Sequence, residues 1–464
     1  MRSADALSAL WRNAGCAEEA LATVELSGAE PALPSSFAVG TAAQTSIAAS
    51  ALAAAELWRL RTGRRQRVGV DMRDAAIEFR SEHYFRVNGE PPPEYRDAII
   101  GMYRCGDGRW VRIHTNFPHH RDGVLKLLGC GYERTAVQRA LDGWNAEAFE
   151  TEAANAGLAV AAMRSFAEWD RHPQGSAVAT MPLLLFEKIG DAPAEALARA
   201  DRPLRGVRVL DLTRVIAGPV CGRTLAAHGA EVLLVTAAHL HAIGPLVIDT
   251  GQGKLSCHID LRTAAGRETM KTLVREADVL VQGYRPSALQ VLGFGPEETA
   301  RIRPGIVYVS LSAYGHAGPW AGRHGFDSLV QMAGGIDDAE AKAAGIEEGP
   351  KVLPAQALDH ATGYLMAFAA MTALARRATG GGSWHARLSL AQTAHWLRSL
   401  GRIDGGLNCH DPSFNDVRDR LEESDSGFGR LTAVRHAAVL SETPVRFERP
   451  SVPLGTHPPA WPQR

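Results

Sequence analysis

Few residues in this chain sit in patterns that do chemistry on their own. It contains no G-x-S-x-G elbow, no H-E-x-x-H pair and no G-x-x-x-x-G-K-[ST] loop. The usual parts of serine hydrolases, zinc proteases and P-loop enzymes are therefore missing. The loop TRVIAGP (213–219) follows a strand-like run but lacks G-x-G-x-x-G, which disfavours NAD. His119 and His120 have no Cys, Asp or Glu at ligand spacing, and read as surface histidines rather than metal ligands. Asp359, in PAQALDHATGYLMAF, falls near the start of a helical run. There the helix dipole favours an ionised carboxylate. Such a group is either a nucleophile or an N-cap, and the local sequence leaves both open.

The elements that must hold these residues change in character near residue 204. Before it, a short helical lead (1–34) gives way to an alanine-rich helix from Ser36 to Arg61. RVGVDM (67–72) alternates as a strand and Asp74 to Arg86 reads as helix. YRCGDGRWVRIHT (103–115) reads as a hairpin turning on Gly106-Asp107-Gly108, and 120–200 as mostly helical. After residue 204, VRVLDL, EVLLVT, ADVLVQ and GIVYVSLS read as strands separated by helical stretches, which implies a parallel sheet with right-handed crossovers. Residues 336–350 and 404–428 read as loop or irregular. The proline-rich tail from Ser441 reads as an extended surface segment.

One internal echo crosses the boundary. Thr45, Ala53, Leu57, Arg59, Thr62 and Gly63 recur as Thr362, Ala370, Leu374, Arg376, Thr379 and Gly380. The offset is constant at 317 (362 − 45, 380 − 63), which suggests a partial duplication. On that offset Asp359 falls opposite Ala42, so the first copy carries no carboxylate there.

Composition narrows the classes. The 464 residues carry 50 Lys+Arg and 51 Asp+Glu, a net charge of −1, which argues against a general nucleic-acid binder. Six cysteines, none closer than 25 positions to the next, offer neither a zinc ribbon nor a disulfide framework, and point to a reducing, cytoplasmic setting. The most apolar run, Tyr364 to Ala375, is too short to span a bilayer, which takes about 20 residues.

From 204 onward the chain resembles the class III CoA-transferases, the CaiB/BaiF family of formyl-CoA and carnitine CoA-transferases. The segments that carry this are VRVLDLTRVIAGP, GAEVLLV, GQGKLSCHIDLRT, EADVLVQGYRP, VYVSLSAYGHAGP and GFDSLVQMAGG, in the family's order and spacing. The first half is similar, more loosely, to the family's linker and small domain. The resemblance implies an α/β fold: a parallel-sheet, Rossmann-like CoA-binding domain plus a smaller α+β domain, with a rearranged and partly duplicated linker helix. The implied division is 1–203 (linker and small-domain half without a nucleophile), 204–400 (large domain) and 401–464 (irregular tail).

The resemblance also implies a site. Asp359 occupies the position of the family's nucleophile. Arg214, Ala217 and Gly218 on the first strand-to-helix loop, Lys254 of GQGK and Arg285 of YRPS occupy CoA-contacting positions, and Tyr314 and Gly315 border the acyl pocket. Gly251, Gln252 and Thr236 depart from the family's pattern. The implied reaction moves CoA from an acyl-CoA to a carboxylic acid through an aspartyl anhydride and an aspartyl-CoA thioester. CoA is then a substrate, with no permanent cofactor and no metal, and a homodimer, interlocked in the family's manner, is the default partner. Two alternatives stand beside it. One is a racemase or isomerase of the same family, which lacks its usual histidine because Phe326 precedes Asp327 but has His324 and His360 nearby. The other is a CoA-binding protein without turnover.

Overall fold

The computed structural model describes residues 1–463. At its centre is a seven-stranded sheet in the spatial order Lys254–His258, Glu231–Thr236, Arg208–Leu212, Val279–Gln282, Val307–Ser312, Ser383–Ser389 and Leu185–Gly190. The first six strands are parallel. The seventh, from before residue 204, closes the edge antiparallel to Ser383–Ser389. Arg208–Leu212 and Val279–Gln282 are buried at every position. That burial accounts for their mostly apolar sequences, because a parallel sheet is covered on both faces, while the buried Arg208 and Asp211 are held by ion pairs. The mixed α/β class with a parallel sheet is thus the fold of this chain.

Two 24-residue helices, Val39–Thr62 and Ala357–Gly380, pack along each other, and the second also packs on Ala217–Ala227. Both are alanine-rich and almost wholly buried, and small side chains let their backbones come close. Both are followed by a glycine with positive φ, Gly63 at 75° and Gly381 at 69°. Their entries match as well: Ala38 (φ −77°, ψ 60°) and Gln356 (φ −76°, ψ 62°). The two helices therefore correspond at an offset of 318 (357 − 39, 380 − 62), one residue away from the sequence echo. Asp359 falls opposite Thr41, not Ala42. The echo followed six residue identities within alanine-rich stretches, whereas the helix ends are fixed by backbone geometry.

The smaller unit is a three-stranded antiparallel sheet, Gly101–Arg104, Trp110–Ile113 and Val160–Ala162. Three helices, Pro118–Leu128, Arg134–Leu141 and Ala146–Asn155, cover it around Tyr103, Val111, Val124, Leu141 and Phe149. The hairpin at 103–115 is therefore present. Asp327–Ala333, a helix of the second half, packs onto its central strand Trp110–Ile113 and its edge strand Val160–Ala162.

Several expectations change. Leu185–Gly190 lies in a stretch read as helical, yet it is the sheet's edge strand. Residues 336–350 begin with a helix, Ile336–Ala343, whose Ile336, Asp337, Glu340 and Ala341 are buried on one face. Within 401–464, read as irregular, Leu421–Ser426 and Gly429–Val434 form a hairpin against Arg86–Val87, and Ala438–Leu440 pairs with Val68–Asp71. Strand partners from distant parts of the chain order these polar segments. The tail is extended and bound along the sheet domain: Gly253 N donates to Arg449 O at 2.9 Å and His457 N to Ser256 O at 2.8 Å. No helix is long and apolar enough to cross a membrane among the described residues.

Candidate active site

Asp359 is the third residue of the Ala357–Gly380 helix and is 6% exposed. It is not the cap of that helix. The free N–H groups of Leu358 and Asp359 donate to Oδ2 of Asp327, at 2.8 and 2.9 Å. Asp327 is itself buried, and its other oxygen accepts from Gln331, whose Oε1 takes the N–H of Leu353 at 3.1 Å. A second carboxylate has thus taken the dipole-favoured position at the helix N-terminus. Among the described residues, the Asp359 carboxyl accepts no hydrogen bond and borders a cleft of about 320 Å³. Burial, then the charges of Asp327 and Glu82, push its pKa well above the usual range. Burial also lifts Asp327 to about 6, against the pull of the Asp359 N–H, Gln331 and the Leu358 N–H.

The cleft lies beyond the carboxyl ends of the central strands, where open α/β sheets bind their ligands. Arg214 and Val215 come from the loop after Arg208–Leu212, Ala217 opens the helix that follows it, and Tyr284, Arg285 and Pro286 come from the loop after Val279–Gln282. Val215 holds φ at 75°, a region that β-branched residues avoid at a cost of about 1–3 kcal/mol. The Arg214 guanidinium lies 5.3 Å from the Phe117 ring centre and 5.4 Å from that of Tyr284. Arg285 is exposed, with no carboxylate partner among the described residues. Two cations without counter-charges thus face the cleft.

The opposite wall belongs to the first half. Phe117, His119 and His120, which follow the Trp110–Ile113 strand, line the cleft, and Phe117 and His120 pack against second-half rings there. Phe117 and Phe326 stack at 5.7 Å, His114 and Phe326 at 3.7 Å, and His120 meets His324 edge-on at 5.1 Å. His120 is 2% exposed, so the expectation of a surface histidine pair fails for it. Burial is the main cause that drives His120 to about 3 and His324 to about 4, leaving both rings neutral near pH 7. His360, the other nearby histidine, turns away to Glu82, 3.0 Å from its Nε2. Among the described residues no group of three or more His, Cys, Asp or Glu is placed to hold a metal ion.

Four of the expected contact residues are elsewhere. Lys254 is buried behind the loop, its Nζ 2.8 Å from Asp211 Oδ2 and 2.7 Å from Pro219 O. It braces the start of the Ala217–Ala227 helix and does not line the cleft. Gly218 is required by close packing, because a Cβ there would strike Thr213. Tyr314 is core, 2% exposed and edge-on to Trp320 at 5.1 Å. Gly315, at φ 109°, packs against Met181. Asp359, Arg214, Ala217 and Arg285 do come together on the cleft.

The profile of CoA-transferase family III matches residues 15–197 and again 204–403. The chain belongs to that family. The two matched segments coincide with the two halves that meet across the cleft. An acyl-CoA transferase of Gibberella moniliformis (strain M3125 / FGSC 7600) is 32% identical over 332 residues, covering 67% of this chain and 57% of that protein. The acetyl-coenzyme A transferase nodX of Hypoxylon pulicicidum is 31% identical over 338 residues, covering 67% and 56%. The crystal structure of the hypothetical protein Rv3272 from Mycobacterium tuberculosis is 32% identical, with a TM-score of 0.41 over 43% of this chain and 57% of that one. This family III chain spans a little over half the length of the curated relatives it matches.

Phe117 carries no expectation from the sequence, His120 reads there as a surface residue, and His324 is noted only as a histidine near Phe326. The first two sit on the small-domain half, and their only local signal was a histidine pair just after a strand.

Proposed function

We propose that this chain transfers CoA from an acyl-CoA to a carboxylic acid, with Asp359 as the nucleophile. The observation that carries this reading is a carboxyl on a cleft, relieved of capping by Asp327 and free to react. Ionised, its oxygen adds to the thioester carbon and the C–S bond breaks. An acyl-aspartyl anhydride forms and CoA leaves as the thiolate. The thiolate attacks the aspartyl carbonyl, leaving an aspartyl-CoA thioester and releasing the first acid. The acceptor carboxylate then takes the CoA in the reverse order. Arg285 and Arg214, cations without carboxylate partners, hold the CoA phosphates. The relatives' names, acyl-CoA transferase and acetyl-coenzyme A transferase, support the same reaction class. The first-half residues on the cleft support a site completed within one chain.

The test is intact-protein mass spectrometry after incubation with a panel of acyl-CoAs and hydroxylamine trapping. Wild-type protein gains an adduct on Asp359, and Asp359→Ala gains none. An adduct of equal yield in the variant overturns the assignment. Retention of a labelled CoA on its original acyl chain in the presence of acceptor acids points to isomerisation instead. CoA binding without any adduct points to a non-catalytic binder.

A further inference from the structure

We propose that His120, from the half that lacks the nucleophile, is a catalytic hydrogen-bond donor to the thioester carbonyl oxygen while Asp359 is acylated. The inference rests on the transferase reading above and deepens it.

His120 sits on the wall of the Asp359 cleft and is 2% exposed. Its ring is held edge-on by His324 at 5.1 Å and by Phe326 at 6.2 Å. Phe326 immediately precedes Asp327, whose carboxylate binds the Asp359 N–H. The ring is therefore held against the segment that leads into Asp327, on the cleft that Asp359 also borders. Its Nδ1 is buried with no hydrogen-bond partner, whereas Nε2 is neither buried in this way nor bonded to any described residue. A neutral imidazole carries one N–H. A proton on Nδ1 would strand a donor in a dry position, which costs more than leaving a lone pair there. The proton belongs on Nε2, the nitrogen open to the cleft.

A ring that stays neutral near pH 7 neither takes the proton of Asp359 nor pairs with it as a cation. It can donate a hydrogen bond without giving up its proton, as an electrophile that polarises a carbonyl. As the Asp359 oxygen adds to the thioester carbon, the C=O π pair moves onto oxygen. His120 Nε2–H donates to that oxyanion, which collapses as the C–S pair leaves with CoA. No proton is gained or lost by the imidazole.

The full chain is tested with acetyl-CoA and succinyl-CoA by single-turnover acylation of Asp359. His120→Phe is expected to slow acylation at saturating acyl-CoA by about 10²–10³-fold, the usual loss of one oxyanion donor. Its dissociation constant for CoA stays unchanged. His120→Gln keeps a donor and recovers at least about tenfold of that loss. Equal rates in wild type and His120→Phe, or equal slowing in both variants, overturn the proposal. A measurement without a variant at this position guards against misfolding. Nitrogen-15 NMR of the wild-type imidazole is expected to show the Nε2–H tautomer, and an Nδ1–H tautomer overturns the proposal. A wild-type chain in which Asp359 is never acylated fails differently, because it removes the transferase reading itself.

Discussion

Oδ2 of Asp327 binds the backbone of Asp359 at 2.9 Å and sets a second carboxyl beside the first. It anchors the helix start and at the same time opposes ionisation of Asp359. The nucleophile must be ionised to react, so acylation is expected to rise as pH climbs through its elevated pKa. Asp327→Asn keeps an oxygen for the two N–H groups but removes the charge. Its acid limb in a pH–rate profile moves to lower pH, while a purely structural role would lower the rate at every pH alike.

Asp337 carries a different pH dependence. Both of its oxygens are buried without partners, and burial lifts its pKa from 3.8 to about 8. The folded state keeps a proton that the unfolded chain releases above pH 4. Its contribution is whole below pH 4 and falls as pH rises toward about 8, by ~1.4 kcal/mol per pH unit. Asp337→Asn cannot ionise. Its melting temperature should match wild type at pH 4 and exceed it increasingly up to pH 8, and parallel curves would refute this.

Lys254 and Arg285 are separated by opposite outcomes. Lys254→Met leaves Asp211 buried without its cation and costs about 3–5 kcal/mol of stability in urea unfolding. Arg285→Ala leaves the unfolding midpoint in place and weakens CoA binding by about 1.5–3 kcal/mol in titration calorimetry. An unchanged CoA affinity would make Arg285 a surface arginine.

The first long helix is expected to be chemically silent. Thr41, opposite Asp359, is 2% exposed, and its N–H donates to Glu30 Oε1 at 2.6 Å. The helix start therefore has its acidic cap but no carboxyl on a cleft. Thr41→Asp and Ala42→Asp should each destabilise the fold by about 1–3 kcal/mol or more, by burying an unpaired carboxyl. Neither new side chain should be acylated, and calorimetry should find one CoA per chain. Two sites of comparable affinity would contradict this.

The sequence by itself determined four of the parallel strands between residues 207 and 312, because burial on both faces demands mainly apolar runs; Lys254–His258, with Lys, Ser and His among its five residues, was not among them. It also placed Asp359 near a helix start and Arg285 after a strand, both of which are local relations. It could not decide whether Asp359 caps its helix. That depended on Asp327, 32 residues away, whose carboxylate reaches the helix only in the folded chain. Nor could it tell that Lys254 faces Asp211 rather than the cleft, since a strand's alternation gives two faces without saying what covers each. His120 was the least legible. It reads as one of two polar residues in a loop, and it enters the site only because the small-domain half packs against His324 and Phe326, some 200 residues later. Local order follows from period and propensity, but a cleft is made by surfaces distant in sequence, and only packing decides which of them meet.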